Sequence, residues 1–301
     1  MSLPNPRNAD FKIRLMRSGI AGFGRVSTWL RRPPKPPGEV REYRYGPDAA
    51  QRVDEITPRS GAPDRLPVLY IHGGGWIIGK KESYTRFLSF LADAGHPVYN
   101  VEYPLAPEHP HPLQLRGLLA ALDWLAKERP DTRAYHVIGD SAGGNLAMMV
   151  GLLARNPRLV GAVDPDRDAE LPMHCASVVS LYGVLDRLSW IEDGFPGGEV
   201  MMRSYGGEAV FESTVDSTLA ITPMDLDFAE APPALLAVGE EDPLLRSSKI
   251  FAERLAAGGH EHELKVYPGE GHGFFNFGRK VAAAESLNAE VLRFLSAVEA
   301  A

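Results

Sequence analysis

One stretch constrains the fold more than any other: Ile138-Gly139-Asp140-Ser141-Ala142-Gly143-Gly144-Asn145. The apolar run Tyr135 to Ile138 precedes it and reads as a short buried strand. Leu146 to Ala154 follows and reads as a buried helix. A strand, a tight turn carrying Ser between small residues, and a helix together make the setting of a nucleophile elbow. The Ser of such a turn has a strained backbone. Gly139 and Gly143 let strand and helix pack where a side chain would clash. The turn lifts the hydroxyl above the sheet and beside the helix N-terminus, where positive potential favours a developing anion. Alone, G-x-S-x-G also describes a Gly-rich turn with a chance Ser, so the rest of the chain has to decide.

Strand and helix patterns alternate around this stretch. Leu66 to Ile71 reads as a buried strand leading into His72-Gly73-Gly74-Gly75-Trp76. Ser83 to Ala94 reads as a helix with Tyr84, Phe87, Leu88 and Leu91 on one face. Pro97 to Val101 is the next strand, and Leu115 to Leu125 an amphipathic helix. Downstream come strand Ala176 to Leu181, strand Ala234 to Val238, helix Ser247 to Ala257, strand Glu263 to Tyr267 and a last helix, Arg279 to Glu299. Val40 to Tyr45 alternates as an edge strand does, and Asp54 to Asp64 is turn-rich. This is an α/β pattern: a mostly parallel sheet with helices on both faces and ligands bound beyond the C-terminal strand ends. Two regions stand apart. Residues 1–38 end in the Pro-rich break Arg31 to Gly38 and read as an N-terminal arm before a main domain, 39–301. Residues 184–224 mix Trp190, Phe195, Met201, Met202 and Phe211 with Gly and acidic residues, and read as an insertion covering something.

Composition narrows the partners. With 32 basic against 39 acidic residues and no basic cluster, nucleic acid and anionic membrane are not expected to bind. The single Cys, Cys175, excludes an internal disulfide, fits a reducing compartment and reads as an inert core thiol. No apolar run approaches the roughly 18 residues a membrane span requires, and no secretory signal is visible, so a cytoplasmic location is expected. A homo-oligomer is open.

A Ser hydroxyl needs a base to become a nucleophile. Loops at the same sheet edge carry Gly239-Glu240-Glu241-Asp242-Pro243-Leu244 and Gly269-Glu270-Gly271-His272-Gly273-Phe274, in the order Ser, acid, His. His272 would deprotonate Ser141, and Asp242 would orient His272. Asp186, after the strand ending at Leu181, is the rival acid; Glu240 and Glu241 carry less weight. His96, His109, His111, His136, His174, His260 and His262 read as surface or satisfied core residues. No metal site is expected, since His109-Pro110-His111 and His260-Glu261-His262 lack a surrounding ligand cluster. The glycines Gly73, Gly74 and Gly75, with the N–H of Ala142, are the candidate oxyanion hole, and His72 is expected to fix that loop by hydrogen bonds. A phosphate loop is excluded by the lack of G-x-G-x-x-G or Gly-Lys-Ser/Thr spacing.

Together, His72 to Trp76, Gly139 to Asn145, Asp242-Pro243-Leu244, His272-Gly273-Phe274 and Tyr103-Pro104-Leu105-Ala106-Pro107-Glu108 resemble the bacterial hormone-sensitive-lipase-like esterases (family IV) over about residues 66 to 298. The resemblance implies an α/β-hydrolase fold, hydrolysis of carboxylic esters with no cofactor, and a cap built from the N-terminal arm and the insertion. Trp76, Asp140, Tyr182, Trp190 and Phe274, beside those motifs, are expected to bind the substrate, a small ester of short or medium acyl length. The family usually has Arg at Pro104, and an acidic residue with Glu-Gly where Arg246-Ser247-Ser248 stand, so Ser247 or Ser248 is expected to cap the helix there. The triad fixes acyl transfer and not the leaving group, so amide, peptide or lactone hydrolysis stays open, as does a ligand-binding protein without catalysis.

Overall fold

The computed structural model describes residues 13, 38–59, 65–167, 170–211, 220–277 and 281–301. Apart from Ile13 and Gly38, the expected N-terminal arm lies outside them. Eight strands form one sheet: β1 Val40–Arg44, β2 Arg52–Ile56, β3 Val68–Ile71, β4 Val98–Val101, β5 Ala134–Asp140, β6 His174–Leu181, β7 Ala234–Gly239 and β8 His262–Tyr267. Their order is β1-β2-β4-β3-β5-β6-β7-β8. The β1–β2 and β2–β4 pairs are antiparallel, and every other pair is parallel. The helices are α1 Ser89–Asp93, α2 Leu113–Glu128, α3 Ala142–Arg155, α4 Pro157–Val163, α5 Ser189–Glu192, α6 Gly198–Gly206, α7 Leu245–Ala257, α8 Phe274–Phe277 and α9 Val281–Ala300.

The two-residue period of the strands explains the layers. Leu69 and Ile71 of β3, Tyr135 and Val137 of β5, and Ala234 and Leu236 of β7 face α2 and α3. There they meet Leu118, Leu122, Leu146 and Val150. Their neighbours Val68, Tyr70, Ile138, Leu235 and Ala237 face the other way, against Leu91, Leu287, Val291 and Phe294. Strands apolar on both sides are what a sheet covered by helices on both faces requires. Among the described residues no helix is long and apolar enough to cross a membrane.

Two expectations fail for physical reasons. Asp54 to Asp64 is turn-rich in sequence, yet residues 54–56 lie in strand β2. Its Asp54 and Glu55 are buried, paired with Lys81 and Arg129 respectively, and Tyr99 Oη donates to Glu55 at 3.1 Å. Charge neutralised across the sheet edge hides the strand from a hydropathy pattern. The helix expected over Ser83 to Ala94 is helical only from Ser89. Lys81–Ser83 is a single 3-10 turn, and Tyr84 is drawn inward to donate to Asp140.

The Tyr103 to Pro112 loop is held against α6 at His111. Its N–H donates to the Tyr205 carbonyl (2.8 Å), and its Nδ1 lies 3.1 Å from Tyr205 Oη. Burial pushes the His111 imidazole down to about 4. In the unfolded chain it titrates near 6.5. The unfolded state therefore binds the extra proton first, and the stability contribution present above that value is lost as pH falls toward 4. His111→Gln should remove this acid sensitivity. The stability difference between wild type and variant should narrow by about 2 kcal/mol from pH 7 to pH 4, the shift being discounted for the ring's partial exposure. Urea titrations at the two pH values measure it, and parallel curves for the two proteins would refute it.

Candidate active site

The elbow forms as its sequence requires. Ser141 takes φ 53° and ψ −120° between β5 and α3, a region that costs a non-Gly residue about 1–3 kcal/mol. Surrounding bonds hold it there: its N–H donates to Leu181 O (2.8 Å), and its carbonyl accepts from Asn145 N (3.1 Å). A Cβ on Gly139 would strike the Gly143 backbone, and one on Gly143 would strike the carbonyl oxygens of Ile71 and His72. Strand β3, the elbow and α3 are thus in backbone contact.

The Ser141 hydroxyl lies 3.0 Å from His272 Nε2, and His272 Nδ1 lies 2.9 Å from Asp242 Oδ2. Asp242 comes from the loop after β7 and His272 from the loop after β8. The Asp242 side chain is fully buried, and its Oδ1 accepts from Leu244 N (2.9 Å), which fixes the carboxylate plane. His272 keeps 26% of its side chain exposed and stands between two rings, Tyr182 at 4.9 Å and Phe195 at 4.8 Å. The rival Asp186 is occupied elsewhere. Its Oδ2 accepts from Leu188 N (3.1 Å) and Ser189 N (2.8 Å), and its Oδ1 from Ser189 Oγ, so it caps α5. Glu240 accepts from Gly269 N (3.0 Å), and Glu241 faces solvent.

The Gly-rich loop corrects the reading of two residues. The Gly73 N–H donates to Asp140 Oδ1 at 2.7 Å and so is not available to an oxyanion. Asp140, expected to bind substrate, is a buried anchor. It also accepts from Tyr70 Oη (2.8 Å) and Tyr84 Oη (3.2 Å). Burial raises the Asp140 pKa, against the lowering effect of those hydrogen bonds. Its neighbours Gly74 (φ 123°), Gly75 (φ 56°) and Trp76 (φ 61°) turn the chain through left-handed conformations open chiefly to glycine. Among the described residues no acceptor faces the N–H of Gly74, Gly75 or Ala142. His72 fixes the loop from below, with Nδ1 2.8 Å from Gly73 O and Nε2 3.1 Å from Glu102, and stacks on Tyr103.

The other expected substrate contacts are wall rather than surface. Trp76 is fully buried, stacked on Tyr205 at 4.3 Å. Trp190 donates to Arg187 O and packs edge-on against Phe195. Tyr182 is buried against His272, and Phe274 lies behind it, 5.7 Å from Tyr182. Indole and phenol rings this enclosed bind through their packing and offer no open face. Reasoning from sequence gave no individual role to Phe195, Tyr205 or Asn145. Asn145 Nδ2 donates to Val184 O (2.8 Å) and Ile221 O (3.1 Å), tying α3 to both ends of the insertion. Ser247 does not cap its own helix; its Oγ accepts from Leu185 N and Asp186 N, both at 3.0 Å. Met201 of α6 occupies the space where a Cβ on Gly75 would stand.

Residues 68–276 match the model of a family described as alpha/beta hydrolase fold. Carboxylesterase NlhH of Mycobacterium tuberculosis is 33% identical over 238 residues, covering 73% of this chain and 70% of that protein. Esterase B of Lactobacillus rhamnosis, solved with a tributyrin phosphonate inhibitor, superposes with TM-score 0.81 at 20% identity, over 98% of this chain and 96% of its own. A hyperthermophilic esterase of the archaeon Pyrobaculum calidifontis does so with TM-score 0.77 at 24% identity, over 96% and 92%. At those identities the two structures speak for the fold. A mostly parallel eight-stranded sheet with an elbow at the end of β5 defines an α/β hydrolase. Within that class, the chain belongs to the hormone-sensitive-lipase-like carboxylesterases.

Proposed function

We propose that this carboxylesterase hydrolyses small esters of short to medium acyl chains through an acyl-enzyme on Ser141. The observation that carries the reading is the unbroken relay Ser141 Oγ, His272, Asp242, at 3.0 and 2.9 Å. His272 Nε2 takes the hydroxyl proton as Oγ attacks the ester carbonyl, and Asp242 stabilises the imidazolium. The N–H groups of Gly74, Gly75 and Ala142 receive the oxyanion, whose charge they stabilise without reorganising. Collapse expels the alkoxide, which takes the proton from His272 Nε2. Water, deprotonated by the same nitrogen, then frees the acid.

The insertion acts as a cap in this reading. Support comes from Phe195, which stands on His272, and Met201, which lies on Gly75. Both enclose the site from the solvent side and limit acyl length. The test is a panel of p-nitrophenyl esters from acetate to laurate. The expected result is kcat/KM highest at the short end and falling steeply with chain length. A flat profile would overturn the cap's role, and no turnover of any ester would overturn the reaction.

A further inference from the structure

At the opposite end of the sheet, away from the Ser141 site, three ligating side chains converge. His96 precedes β4, His136 lies in β5, and Glu299 is in the last turn of α9. One ligand atom from each lies within 4.8 Å of the other two, and both imidazoles are fully buried. The hydrogen bonds settle most of the chemistry. His96 Nδ1 is 2.8 Å from the Leu66 carbonyl, which only accepts, so Nδ1 carries the proton and Nε2 the lone pair. That Nε2 is buried, and no donor answers it among the described residues. His136 Nδ1 is 2.8 Å from Ser177 Oγ, which leaves Nε2 turned toward Glu299 Oε1 at 3.3 Å. Glu299 Oε1 also accepts from Leu66 N (3.0 Å). Arg65 takes the other oxygen, Oε2, at 3.4 Å and is itself anchored on Ser296.

A hydrogen-bonded network alone leaves the His96 lone pair without a partner, and an orphan buried acceptor costs about 1–3 kcal/mol. A cation answers it only if the His96 ring turns, since Nδ1 is now the ring nitrogen facing Glu299 Oε1, at 3.8 Å. Two imidazole nitrogens and one carboxylate oxygen form a donor set suited to zinc. The helix adds to this, since its C-terminal end carries partial negative charge. We propose that His96, His136 and Glu299 form a divalent-cation site, with zinc the favoured ion, that pins the last turn of α9 to the sheet. A tetrahedral zinc sets ligand atoms about 3.4 Å apart, so His96 must turn Nε2 toward Glu299 and the groups draw together on binding. The fourth position goes to water. Ser177 is a positioning residue: accepting from His136 Nδ1, it keeps Nε2 free for the metal.

The test is titration of chelator-treated protein with zinc chloride, followed by calorimetry and by the melting temperature. The expected result is one saturable site, with a midpoint raised by roughly 5 °C at a hundredfold excess over Kd. His96→Gln and Glu299→Gln should lose it. Ser177→Ala, which removes no ligand but takes away the partner of His136 Nδ1, should weaken Kd about 10–100-fold. The double variant His260→Ala/His262→Ala should keep the wild-type isotherm, which separates this site from surface histidines. Absence of saturable binding to wild type overturns the proposal. So does an unchanged affinity in Ser177→Ala, an outcome that stays readable if a ligand variant fails to fold.

Discussion

Ser141→Ala should lower kcat for p-nitrophenyl butyrate by about 10⁶, the scale seen when the nucleophile of a triad that acts as a unit is removed. The residual rate over water should survive, because the N–H groups of Gly74, Gly75 and Ala142 do not depend on the hydroxyl. A fluorophosphonate probe should label the wild type at Ser141 and leave the variant unlabelled. Stability should move in the other direction from activity. Ser141 sits at φ 53°, ψ −120°, and Ala inherits that strain whereas Gly does not. Ser141→Gly should therefore be as inactive as Ser141→Ala but melt a few degrees higher, since relief of about 1–2 kcal/mol exceeds the entropic cost of glycine. A variant that keeps turning over ester, or labelling at another residue, would remove Ser141 from its role. Equal melting of the two variants would show that the turn stores no strain.

What could be read from the sequence, and what could not, divides along sequence separation. Strands β3 to β8 and helices α2, α3, α7 and α9 stand near where their periodicity puts them, because one residue pattern decides each of them. The order of Ser141, Asp242 and His272 is likewise visible, as each sits in a short motif after a strand. The failures involve groups whose meaning comes from a distant partner. Asp54 and Glu55 look like turn residues until Lys81 and Arg129 neutralise them. Gly73 looks like an oxyanion donor until Asp140, brought across from β5, takes its N–H. His96 and His136 look like ordinary core residues, and only the fold shows that one nitrogen has no partner and that Glu299 lies beside both. Hydropathy carries no trace of such pairings, since each partner is locally a polar residue in a turn or a strand.

Asp242→Asn is expected to cost about 10⁴ in kcat, as the equivalent change does in the serine proteases. The wild-type geometry explains the size. Asp242 Oδ1 accepts from Leu244 N, and Oδ2 faces His272 Nδ1. An Asn can keep the first bond with its carbonyl oxygen, and so it presents its NH₂ to the imidazole. Nδ1 must then accept, the ring proton moves to Nε2, and the nitrogen facing Ser141 becomes a donor that cannot take the hydroxyl proton. The fold should hold, because the Leu244 bond and the buried volume survive. Asp186→Asn makes the matching control. It loses part of the cap on α5, a change of about 1 kcal/mol, while every bond from Ser141 to Asp242 remains. Its kcat should stay within a few-fold of wild type, and its melting temperature should fall slightly. The decisive comparison is kcat/KM on one ester for both variants, alongside thermal unfolding. Loss of activity in Asp186→Asn with activity retained in Asp242→Asn would transfer the acid to the loop after β6. That loop would then have to release the N–H groups of Leu188 and Ser189 and swing toward His272, unwinding the start of α5 in every turnover.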